Sequence, residues 1–188
     1  MSGFFSRYFL LVFYFSVIGI CGRTEAQSRF KTGDDSVSQA IRMDEQHKLA
    51  GVERLVEATR SFENLEKDKE YTILAPNNRA FRRLPVQTID YLIDPSHESD
   101  LNDLLGFHTI IGKYSEKAIR KEIEKGGGKA TFNTLAGLAI QAVLDKDGNI
   151  IFIDKSKRKI RMVEANYKSG QFPVHIIDGV ILPHSAVY

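Results

Sequence analysis

The sequence predicts a single α+β domain, and three observations carry that reading. Apolar residues recur at helical spacing through the first half of the chain and at a period close to two through the second half. The two patterns do not alternate, which argues against repeated βαβ units. No internal repeat is visible, and no composition shift marks a second domain.

The N-terminal residues bear on compartment. Tyr8 to Cys21, YFLLVFYFSVIGIC, holds only one clearly polar residue, Ser16, and is followed by the polar stretch GRTEAQS. A spanning helix needs roughly 20 apolar residues, so the run is short for an anchor and suits a signal peptide. Thr24 and Ala26 put small residues at the positions a signal peptidase reads. The expected organisation is a signal peptide over residues 1–26, a polar leader over 27–35 and one domain over 36–185, with no transmembrane span in the mature chain. Acylation of Cys21 is the alternative, although Ile20 is large for the residue before a lipidated cysteine. The mature chain is therefore expected to be secreted, or to reside in the periplasm or cell envelope.

Removing 26 of 188 residues leaves 162 with no cysteine, so packing alone must hold the domain. A chain of this size buries roughly 68–70% of its unfolded surface, enough for one core without staples. Its charge is balanced, 24 basic against 23 acidic residues once Arg7, Arg23 and Glu25 are gone. That balance favours neither nucleic acid nor membrane as a partner.

Val37 to Arg60 reads as one helix broken near Gly51 or as two, with Leu49, Val52, Leu55 and Val56 on the buried stripe. Tyr71 to Ala75 reads as a strand stopped by Pro76. Helices follow over Val86–Ile93 and Asp100–His108, the second with Leu101, Leu104, Leu105 and His108 on one face. Ser115 can cap a further helix with Ala118, Ile119 and Ile123 inward, ending at Gly126 to Gly128. Beyond those glycines, Leu138–Leu144 and Ile150–Asp154 form a hairpin about Asp147 and Gly148. Strands over Ile160–Ala165 and within Phe172–Pro183 complete the set.

Patterns that suggest chemistry mostly fail on spacing. GGGKAT (Gly126–Thr131) lacks the first glycine of a phosphate loop, because Ile123 stands there, and helix precedes strand. DKDGN from Asp145 lacks the glycine and glutamate of a calcium loop, since Ile150 and Ser156 hold those places; a hairpin turn accounts for it. The histidines, His47, His97, His108, His175 and His184, show no zinc spacing, and no GxSxG elbow is present. No catalytic residue, metal or cofactor is expected. His108 and His175 read as core or boundary residues. KSKRKIR (Lys155–Arg161) is the one concentrated charge feature: Lys155, Lys157, Arg158, Lys159 and Arg161 form either a solvated turn or a surface for an anionic polymer.

Several segments together resemble the fasciclin-like (FAS1) domain. TILAPNNRAF (Thr72–Phe81) is similar to its first signature through Thr72, Ala75, Pro76, Asn78, Ala80 and Phe81. VHIIDGVILP (Val174–Pro183) resembles its second through His175, Asp178 and Pro183. LLGFHTIIG (Leu104–Gly112) resembles the segment between them, with Phe107 in place of the usual tyrosine before His108, and TLAG (Thr134–Gly137) is in the expected place.

The resemblance implies a wedge-shaped β-sandwich with packed helices and no shared catalytic activity. It also implies an adhesion or binding role toward a cell-surface or matrix protein or polysaccharide. Phe107, His108 and the basic stretch are then the candidate interaction residues. Other readings are an anionic glycan or apolar small molecule as ligand, or an enzyme using His108, His175 and Asp178. On the residues themselves, Asn77 or Asn78 can cap the following helix, and Phe81 faces inward one turn later. Asp178 either accepts backbone N–H bonds in a turn or pairs with one of the two histidines.

Overall fold

The computed structural model describes residues 65, 66, 68–167 and 172–182. The expected signal peptide, the leader, the helices of 37–60 and Pro183 lie outside the described residues. Within them the order is β1 (Tyr71–Pro76), α1 (Asn78–Arg82), α2 (Val86–Ile93), a 3-10 turn (Pro95–His97), α3 (Glu98–Phe107) and β2 (Thr109–Ile111). Then come α4 (Glu116–Lys125), β3 (Lys129–Asn133), β4 (Ala139–Leu144), β5 (Ile150–Ile153), β6 (Lys159–Tyr167) and β7 (Val174–Ile177).

The strands form one seven-stranded sheet in the order β2-β1-β7-β6-β5-β4-β3. Every pairing is antiparallel except β1 with β7, which run parallel from Ile73↔Val174 to Pro76↔Ile177. The register of β6 on β7 shifts between Met162 and Glu164 and again before Tyr167. Such bulges add twist and bend to a strand. The two ends of the sheet come back together, and an isolated bridge joins Ile110 beside β1 to Thr134 after β3. The expected sandwich is thus a single sheet folded back on itself and nearly closed.

Two hydrophobic clusters sit on opposite sides of β1 and β7. Ile73, Ala75, Val174 and Ile176 face the helical layer, where they meet Phe81, Ile89, Leu92, Leu101, Leu104 and Leu105. Leu74 and Ile177 point the other way, into the folded sheet, with Ile110, Phe132, Ile140, Phe152 and Ile160. A strand buried on both faces explains why TILA lacks polar alternation; all six residues of β1 are buried. In β3 and β4, by contrast, Ala130, Phe132, Ile140 and Ala142 point inward between exposed or half-buried neighbours.

Three expectations need adjustment. β1 does end at Pro76 but includes it: the proline is the last strand residue, opposite Ile177, one residue beyond the expected boundary. β2 and β3 were not anticipated. The first has only three residues directly after a helix, and the second starts at the end of a glycine run whose turn signal masks it. On α4, Ile119 and Ile123 are buried, whereas Ala118 is only half-buried.

Candidate functional site

The signature residues are spent on the scaffold. In TILAPNNRAF, Asn77 is the cap: its side-chain oxygen accepts the Ala80 N–H at 2.9 Å. Asn78, Ala80 and Phe81 are buried beneath it. Ala75 and Pro76 pair with Ile176 and Ile177, so the first signature is laid directly against the second.

Thr72 and His175 clamp the loop from Gly112 to Glu116. The Thr72 hydroxyl is wholly buried; it donates to the Gly112 carbonyl at 2.7 Å and accepts the Tyr114 N–H at 2.8 Å. His175 accepts the Asn166 N–H at Nδ1 (3.1 Å), which leaves the proton on Nε2 to donate to the Tyr114 carbonyl at 2.8 Å. Asn166, at φ +51° in the irregular part of β6, accepts the Glu116 N–H at 3.2 Å. Gly112 has φ +113°, and a Cβ there would stand 2.6 Å from the Tyr114 ring. The Tyr114 ring in turn packs edge-on against Phe132.

His108 ties a second segment. Its Nδ1–H donates to the Leu104 carbonyl at 2.7 Å, and its Nε2 accepts the Ile181 N–H at 2.9 Å. Burial holds its pKa down at about 4, against the opposing pull of the Leu104 bond, so the ring is neutral. Burial also lowers the pKa of His175. The Asp178 carboxylate accepts the Arg161 N–H at 2.8 Å. Each of the three side chains proposed as an acid–base set is therefore engaged with backbone partners rather than with another member of the set. Phe107 and His108 are 7% and 4% exposed, so both candidate interaction residues lie in the core.

The basic stretch forms the β5–β6 turn and the first residues of β6. Lys155, Lys157, Lys159 and Arg161 are exposed. Arg158 is not of this kind. Its guanidinium grips the buried Asp154 carboxylate through Nε at 2.7 Å and Nη2 at 2.6 Å and reaches the Leu182 carbonyl at 3.2 Å. Asp154 also accepts the Arg158 N–H at 3.0 Å, which closes the turn. A charged side chain that the spacing groups with its neighbours thus belongs to the framework.

The order of these elements agrees with known proteins. The family model for the fasciclin domain matches residues 47–183. This chain belongs to the fasciclin domain family. A FAS1 domain pair from the insect cell adhesion molecule fasciclin I superposes with a TM-score of 0.64 at 15% identity, over 79% of this chain and 51% of that one. Among sequence relatives, Protein sll1483 of Synechocystis is 29% identical over 128 residues, covering 68% of this chain and 63% of its own. The transforming growth factor-beta-induced protein ig-h3 of Sus scrofa is 32% identical over 104 residues, or 48% of this chain and 15% of that protein. The cell surface glycolipoprotein MPB83 of Mycobacterium bovis is 29% identical over 114 residues, 61% of this chain and 44% of that protein. This fasciclin domain spans less than two thirds of the length of each of these relatives. No helix among its described residues is long and apolar enough to cross a membrane.

Sequence reasoning missed Asn166 and Tyr114. Asn166 acts through a left-handed backbone at a bulge, and Tyr114 through its backbone amide and carbonyl, and neither leaves a local signature. It also missed Arg79, Arg82 and Arg83, exposed on and just after α1. Their signal was present as a spacing of three and four residues, which puts them on one helix face.

Proposed function

We propose that this fasciclin domain is an exported binding or adhesion module whose partner is a cell-surface or matrix protein or polysaccharide. Relatives that include a cell surface glycolipoprotein, and a structural neighbour from a cell adhesion molecule, support the coarse reading. One observation carries it. The side chains of Thr72, His108, His175 and Asp178 are each hydrogen-bonded to backbone partners, which leaves recognition to exposed side chains. The protein then works by presenting a rigid surface, without turnover.

The test has two parts. The exported chain is expected to begin at Gln27 on N-terminal sequencing; an intact N-terminus or an acylated Cys21 would replace the predicted processing. Residues 27–188, offered to a surface-protein extract and to a glycan array, are expected to retain a defined protein or polysaccharide. Retention of nothing by either would overturn the binding-module reading.

A further inference from the structure

Two basic runs far apart in the chain meet across one residue. Arg83, just past the end of α1, donates from its guanidinium to the Asp178 carbonyl at 3.0 Å. Asp178 also bonds reciprocally with the Arg161 backbone: its N–H donates to the Arg161 carbonyl at 3.0 Å and its carboxylate accepts the Arg161 N–H at 2.8 Å. The loop after β7 is therefore a joint between the α1 arginines and the β5–β6 hairpin.

Each arm is built to face outward. On α1, Ala80 and Phe81 turn inward, and Arg79, Arg82 and Arg83 remain exposed on one face. On β6, Ile160 and Met162 fill the interior, so Lys159 and Arg161 take the outer face, next to Lys155 and Lys157 in the turn. Of the three carboxylates that these contacts bring close, only Asp154 is neutralised by an ion pair. Asp154 is held by Arg158, and Asp178 by the Arg161 amide. Asp145 feels the charge of Arg161, but its oxygens accept from the Asp147 and Asn149 amides and the Asn149 side chain. Asp178 and Asp145 keep their charge, and the seven exposed cations of the two arms outnumber them along this ridge.

We propose that this composite ridge is a binding surface for a linear anionic polysaccharide that contacts both arms at once. The inference rests on the reading of the domain as a binding module and names the partner's class. Charge complementarity selects a polyanion, and the geometry selects an extended one. The α1 arm spans about 6 Å and Lys159 to Arg161 about 7 Å, so a single acidic group covers neither arm, whereas an extended chain carrying several can. Phe81, the aromatic between Arg79 and Arg82, is buried, so these cations have no interleaved aromatic platform on which nucleic-acid bases would stack.

The experiment measures binding of heparin-derived oligosaccharides of increasing length to the full-length protein across a salt series. Two variants are compared with wild type: Lys155→Gln/Lys157→Gln/Lys159→Gln/Arg161→Gln and Arg79→Gln/Arg82→Gln. Arg83 is left intact because it supports the Asp178 loop, and thermal unfolding confirms that both variants fold. Affinity is expected to rise with oligosaccharide length. Each variant should weaken binding several-fold or more and flatten the plot of log affinity against log salt by roughly one unit for every cation neutralised at the polymer. If the α1 variant binds as wild type does while the hairpin variant fails, the ridge is not composite and the proposal is wrong. It is equally wrong if neither variant changes the salt slope. Wild type that ignores heparin yet captures a protein or neutral glycan would sink the proposal while sparing the binding-module reading; capture of nothing would sink both.

Discussion

Single side chains in this protein divide between those that hold backbone and those that meet solvent, and burial decides which. Asn77 caps a helix N-terminus: its side-chain oxygen and its backbone carbonyl share the Ala80 amide, each at 2.9 Å. Asn77→Ala should lower stability by about 1 kcal/mol in chemical denaturation, with little change in the folded state's spectrum. His108 leads to a pH prediction. Its folded pKa of about 4 lies below the unfolded value of 6.5, so the unfolded chain binds the extra proton. The contribution of the neutral ring is complete above about pH 6.5 and is lost as pH falls from there towards 4; His175 acts in the same direction. Urea midpoints should therefore fall between pH 7 and 5, by up to roughly 1 kcal/mol of stability per pH unit from His108. A flat profile over that range would show that the ring does not stay neutral on folding.

At the level of elements, the boundaries are set by backbone geometry that is only partly written in composition. α4 ends at Gly126, whose φ of −81° is ordinary. Glycine is required there for another reason: a Cβ would stand 1.9 Å from the Lys129 carbonyl oxygen, where the chain doubles back into β3. Gly126→Ala should cost at least the roughly 1–3 kcal/mol typical of overpacking, because the opposing atom is backbone and cannot swing away. Thermal melts of that variant beside Gly127→Ala check this. Gly127, with φ +67° and open space around it, should suffer only the smaller conformational penalty. The β5–β6 hairpin shows the same division of labour. Its turn closes on the Asp154–Arg158 pair, and the lysines on either side of Arg158 stay exposed.

For the molecule as a whole, the parallel pairing of β1 with β7 joins two clusters that would otherwise be independent. Phe81 belongs to the helical side and Phe152 to the interior of the folded sheet, yet Ile73 and Leu74 link them as neighbours on one strand. Truncating either phenylalanine to alanine should cost roughly 3–5 kcal/mol. Both variants should still unfold in one transition, seen identically by far-UV circular dichroism and tyrosine fluorescence. Separate transitions for the two probes would show that β1 does not couple the layers.

Periodicity carried the fold class, the main helices and the central hairpin, and the resemblance of short motifs carried the family signatures, because each depends on residues close together in the chain. Thr72, Phe81, His175 and Asp178 were legible as important, but whether they work as scaffold or as chemistry was not. A histidine's role depends on what its two nitrogens meet, and for His175 those partners lie at Tyr114 and Asn166. The same limit applies to charge. KSKRKIR announces itself by density, but only the fold withdraws Arg158 into an ion pair with Asp154 and adds the arginines of α1 through Asp178. Local pattern determined most of the segments that become helix or strand, β2 and β3 excepted. Tertiary structure alone decided which polar groups are used up inside and which cations stand together outside, because those outcomes depend on contacts between residues distant in sequence.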